Sequence, residues 1–160
     1  MNGMSKIKAL RNLDGATAGI LAEAYGFLAY ARILKLLPFS KVAPSLGETM
    51  KETPADLNLQ EKRTIARVSQ AVHMMSRYAF WESECLVKAV AAQKMLSRRG
   101  VDTTLYLGTG KDETGKLAAH AWLRSGPFFV SGAEGKEKFT VVATYAKTSD
   151  RRKVRGASYG

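Results

Sequence analysis

Apolar positions in the first hundred residues recur at helical spacing, and after Gly100 they alternate, so the chain divides into a helical part and a sheet part. Residues 16–37, ATAGILAEAYGFLAYARILKLL, read as one long helix that Pro38 ends, with a loop through Pro44, Gly47 and Pro54 behind it. A second helix starts near Asp56 or Asn58 and runs through IARVSQAVHMMSRYAF, where Ile65, Val68, Val72, Met75 and Ala79 form a stripe and His73 lies off it. A third begins around Ser83, whose hydroxyl can cap it, and stops at Gly100 after Arg98 and Arg99, cations suited to the negative end of the helix dipole. Beyond it TTLYLGT, LAAHAWLR, FFV and KFTVVAT alternate with period two and are separated by KDETGK, SGP and SGAEGKE, the pattern of an antiparallel meander. The expected fold is α+β in a single domain, with residues 16–100 mainly helical, 101–146 forming the sheet, and 1–15 and 147–160 as flexible tails.

At 160 residues and 46% hydrophobic composition the chain can build a real core, which excludes disorder throughout. A net charge of +11 attracts an acidic peptide, a nucleic acid or an anionic membrane without choosing among them. One cysteine excludes an internal disulfide, and no cysteine–histidine spacing suits zinc, so the expected chemistry is metal-free, and a cysteine nucleophile with a histidine base requires no cofactor. The N-terminal residues scatter apolar positions among charges, unlike a secretory signal, and Glu23, Arg32 and Lys35 interrupt the long apolar helix. A cytoplasmic protein with no membrane span is expected. Nucleic-acid binding through KTSDRRKVRG has no aromatic-basic platform or known motif behind it, so no nucleic-acid partner is expected.

Two residues carry the candidate chemistry. With Ser83 as cap, Cys85 falls in the first turn of its helix, where unpaired N–H groups and the positive dipole end favour a thiolate and are able to hold an oxyanion. Against this, Glu82 and Glu84 flank it, and Cys85, Ala89, Ala92 and Leu96 share a stripe on which a cysteine serves equally as a small buried hydrophobe. In LAAHAWLR, His120 shares a face with Ala118, Trp122 and Arg124, and it is either a structural histidine or the base a cysteine nucleophile needs. His73, among Met74, Met75 and Arg77, ranks below it as a base.

Taken in order, ECLVKAVAAQKMLSRRGVDTTLYLGTG, LAAHAWLRSG and SGAEGKEKFTVVATY resemble the B2 proteins of lasso peptide biosynthesis, leader peptidases with a papain/transglutaminase-like fold. The resemblance extends over about residues 18–145 and includes the EA…LA..AR helix and the LPF turn. It implies a cysteine peptidase that removes the leader of a ribosomally made precursor peptide. Its partners would be that leader, a leader-binding adapter (the B1 protein) and an ATP-dependent macrolactam synthetase. Carried onto this chain, Cys85 is the nucleophile and His120 the general base. The family's third member, an acid on the strand after the histidine, falls where this chain has Ser131 and Gly132. The nearest acid is Glu134, a candidate for orienting His120, followed by Glu137; a backbone carbonyl or an amide is the other way to hold the ring. Trp122, Phe128 and Phe129 are candidates to line a substrate groove, with Phe129 better suited to the core. The same fold type also supports transglutaminase-like acyl transfer, in which an amine resolves the thioester.

Overall fold

The computed structural model describes residues 15–53, 59–77 and 85–148. The expected helix starts at Asp56, Asn58 and Ser83, the stripe's last member Ala79, the flanking Glu82 and Glu84, and residues 149–160 lie outside them. Among these residues four helices and five strands follow in the order α1 (Gly15–Leu34), α2 (Phe39–Leu46), β1 (Glu48–Thr49), α3 (Leu59–Ser76), α4 (Cys85–Arg98), β2 (Thr103–Lys111), β3 (Leu117–Ser125), β4 (Phe128–Ser131) and β5 (Thr140–Lys147), with a 3₁₀ turn at Lys136–Lys138 before the last. The class is α+β, as expected.

Each of the two outer helices buries one stripe. Leu21, Ala24, Leu28 and Ala31 of α1, spaced by three and four, and Ile65, Val68, Val72 and Met75 of α3 face the core. Between these helices and the sheet runs α4, which packs on α1, α3, β3 and β4 and is therefore buried nearly all round. Its Ala89, Ala91 and Ala92 let the neighbours approach closely, and Gln93, fully buried, donates from Nε2 to the Leu46 carbonyl at 2.8 Å. The end of α4 is tied to α1 by Glu23, whose two carboxylate oxygens take Arg99 at 2.6 and 2.9 Å and Arg98 at 2.9 Å. The Arg99 hydrogen bond holds the Glu23 carboxyl below its usual range and the guanidinium above its own.

Two expectations are corrected. The segment after Pro38 is not all loop: Phe39–Leu46 forms a short helix with Pro44 inside it, because Val42 and Leu46 have a core to enter. The strands are not a simple meander either. Their order is β1-β5-β2-β3-β4, all antiparallel, so β5 does not extend the β2-β3-β4 run but returns to the free side of β2. There it gains a nearly full ladder, from Thr103↔Lys147 to Thr109↔Thr140, and leaves β4 as an edge of four residues. The return requires residues 132–139 to travel across the end of the sheet.

Candidate active site

The site is built where the start of α4, the middle of β3 and the 132–139 connection converge. Cys85 is the first residue of α4, half-buried and packed against the core. His120 sits in β3 opposite Gly108 of β2. Alternation gives Ala121 and Leu123 to the face that α4 covers, while His120 shares the other face with Trp122, Tyr106 and Arg124. Cys85 thus lies at the start of the helix on one face of the sheet, and the imidazole stands on the other face of the strand. Both residues line two adjoining clefts, of about 450 and 400 Å³. Among the described residues no hydrogen bond joins them.

The imidazole is held from three directions. Nε2 donates to the carbonyl oxygen of Gly132 at 2.7 Å, which leaves Nδ1 as the nitrogen with a free lone pair when the ring is neutral. Phe139 stacks on one side, with centroids 5.0 Å apart, and Trp122 lies against the ring at 5.7 Å. Trp122 in turn stacks on Tyr106 at 5.7 Å and 14°, and the Tyr106 hydroxyl donates to Glu52 at 2.8 Å and accepts from Arg124 at 3.0 Å. Burial pushes the Tyr106 phenol up, so it stays a donor. Arg124 also binds the Thr53 and Gly126 carbonyls, each at 2.7 Å, and so pins the segment entering from β1 to this face.

Gly132 is glycine for a steric reason. Its φ is +73°, and a Cβ there would overlap the Ala121 carbonyl oxygen and stand 3.0 Å from Cα and Cβ of Trp122. No side chain, acidic or otherwise, has room at this position. Gly108 serves the same stack, since a Cβ on it would come within 2.9 Å of the Trp122 ring and 3.0 Å of Phe139.

Glu134 lines the larger cleft but is exposed and makes no hydrogen bond to His120; the ring's bond goes to the Gly132 backbone instead. Trp122 is only 5% exposed and lines neither cleft, so its place is beneath the histidine and not in a groove. Phe128 is at the surface under Lys62 Nζ and lines neither cleft, whereas Phe129, expected in the core, is 42% exposed and lines the larger one. The edge position of β4 explains both, since only Val130 of FFV meets the helices. His73 is exposed, donates from Nδ1 to the Ser69 carbonyl of its own helix at 2.7 Å, and also lines the larger cleft. Ser69 and Lys88 share that wall and were not legible as site residues, because each belongs to a polar helix position like many others. Ser131 is 4% exposed, and its hydroxyl has no hydrogen-bond partner among the described residues.

No group of three or more metal-binding side chains occurs among the described residues, and no described helix is long and apolar enough to cross a membrane. No curated protein and no solved structure matches the chain. The family model described as transglutaminase-like superfamily matches residues 33–144, a span that runs from the end of α1 into β5 and holds both Cys85 and His120. Cysteine-dependent catalysis is general to that group, and by this match the chain belongs to the transglutaminase-like superfamily.

Proposed function

We propose that the chain is a cysteine peptidase that removes the leader from a lasso-peptide precursor, with an adapter protein delivering the leader and a macrolactam synthetase acting on the product. The observation that carries the catalytic part is the shared wall: Cys85 and His120 line the same two clefts, and the ring is oriented through Nε2 by a fixed carbonyl so that Nδ1 is left to act as base. The ordered likeness to the B2 leader peptidases supports the choice of substrate.

The Cys85 thiolate attacks the scissile carbonyl carbon, forming a C–S bond, and the oxygen takes up the negative charge near the amides that begin α4. His120 then gives its proton to the departing nitrogen as the C–N bond breaks. Water attacks the thioester, its proton passes to His120, and the sulfur leaves as thiolate. The mechanism requires Cys85 Sγ and His120 Nδ1 to come within hydrogen-bond reach in the substrate complex. The Gly132 carbonyl accepts from the ring without bringing a full negative charge, so it orients the imidazole but stabilises imidazolium less than a carboxylate does.

The test is incubation of the chain with the precursor and the adapter, followed by mass spectrometry. Hydrolysis yields leader and core whose masses sum to the precursor plus one water, and Cys85→Ala yields neither. Full cleavage by Cys85→Ala refutes the proposal. A product joined to an added amine, with no water gained, assigns the chain to acyl transfer instead.

A further inference from the structure

The two clefts that meet at Cys85 and His120 differ in chemistry. One has a mixed wall, in which Ser69, His73, Lys88, Ser131 and Glu134 stand among Phe129 and Val130. The other, of about 400 Å³, is walled chiefly by Leu86, Leu107, Ala119, Ala121 and Val142. Val142 is 56% exposed and Ala119 is exposed as well, so apolar surface is left open beside the nucleophile instead of being covered by the fold. The alanines at 119 and 121 keep the strand slim at this point, which is what leaves the cleft its depth.

Resting on the peptidase proposal, we infer that the apolar cleft is the subsite for a large apolar side chain on the acyl side of the bond that is cut, and that the more polar cleft takes the leaving segment and then the hydrolytic water. The order of events fixes the direction. After the amine departs, the acyl group stays on Cys85 while water must arrive from the side just vacated and lose a proton to His120. A more polar, open cleft admits that water. An apolar one holds the acyl side chain dry and in place through both steps. The reverse assignment would put the wet cleft under the part of the substrate that never leaves and an apolar wall where water has to enter.

The experiment uses tripeptidyl acyloxymethyl ketones that differ only in the residue bearing the ketone: leucine, phenylalanine, alanine, aspartate or lysine. The Cys85 thiolate displaces the carboxylate; a C–S bond forms, the C–O bond breaks, and the carboxylate carries off the electron pair. Labelling of the full chain is followed by intact mass. Such small reagents need no delivery by an adapter, so the readout is independent of leader recognition. The leucine and phenylalanine reagents should label Cys85 at least about tenfold faster than the aspartate and lysine ones, the discrimination an apolar pocket provides. Ala119→Phe, at an exposed position that does not carry the core, should fill the cleft and slow the phenylalanine reagent about tenfold relative to the alanine reagent. Equal rates for all five reagents, or an Ala119→Phe variant with the wild-type preference, overturn the subsite. If no peptidyl reagent labels Cys85 faster than iodoacetamide does, the peptidase proposal falls and the subsite with it.

Discussion

Replacing Gly132 by alanine tests whether a backbone carbonyl orients the ring of His120, the proposed base. The added methyl group cannot be accommodated where it is built, because it overlaps the Ala121 carbonyl oxygen and presses on Trp122 at 3.0 Å. A non-glycine residue at φ +73° costs about 1–2 kcal/mol by itself, and relieving the overlap means moving the 131–133 backbone away from β3. That backbone carries the oxygen now 2.7 Å from His120 Nε2, and a displacement of roughly 1 Å ends the hydrogen bond. Misplacing a catalytic group by such a distance costs about a hundredfold in rate. The expectation for Gly132→Ala is therefore a kcat lower by about two orders of magnitude with little change in KM, and a stability loss of about 2–4 kcal/mol by urea unfolding.

Gly135→Ala is the control. Its φ of +79° imposes the same left-handed cost of about 1–2 kcal/mol, but nothing lies within 4 Å of an added Cβ, so no backbone has to move. It should lose stability and keep its cleavage rate. A Gly132→Ala protein that is folded by circular dichroism and cleaves the precursor at the wild-type rate would refute the reasoning. Equal rate losses in the two variants would refute it too, since the cause would then be stability and not the position of one oxygen.

The remaining predictions concern the parts around that bond. His120→Ala should slow cleavage at least about a hundredfold, whereas His73→Ala, at an exposed ring already bonded to its own helix, should stay within about threefold; the opposite result in the same precursor assay would exchange their roles. Glu134→Gln should leave the rate unchanged within about twofold, because the ring's partner is a backbone carbonyl; a loss like that of His120→Ala would make Glu134 the orienting acid. Trp122→Phe should lose about 1–2 kcal/mol in urea unfolding with KM unchanged, since the indole lies under the histidine; a raised KM at unchanged stability would return Trp122 to the substrate. Glu23→Gln should cost about 1–2 kcal/mol at neutral pH. The Glu23 pKa is lowered on folding, so its contribution is complete above the unfolded value near 4.5 and disappears as pH falls through the lower folded value; variant and wild type should converge there, and a gap that persists at that pH contradicts the assignment.

Much of this fold was legible because its outer elements obey single periods. The α1 and α3 stripes and the β2–β3 hairpin are where the spacing put them, since each has one buried face and a local pattern can report one face. Helix α4 shows the limit of that method. Its sequence suggested one stripe through Cys85, yet burial all round follows from its central place, which only the tertiary arrangement decides. The same holds for FFV, where edge position and not composition exposes both phenylalanines. Cys85 and His120 stood out because each is a rare residue in a telling place. The third partner did not, because a main-chain oxygen has no signature in a sequence; the sole trace was a glycine where an acid was sought.

That glycine becomes intelligible from the strand order. Because β5 returns to β2, the chain leaving β4 must cross the end of the sheet, and it does so over the histidine. The crossing begins at Gly132, whose carbonyl takes Nε2, and ends at Phe139, whose ring covers the imidazole face; between them Lys136, Lys138 and Phe139 close short turns on Ala133, Gly135 and Lys136. One connection therefore supplies both the polar and the apolar contact that fix the ring. An acid at its first position would need a Cβ that the close approach to β3 forbids, and moving the connection outward to admit one would also withdraw Phe139. The backbone acceptor and the aromatic cover are consequences of the same crossing, so a shift of its backbone moves both, and His120 depends on the whole connection for its orientation.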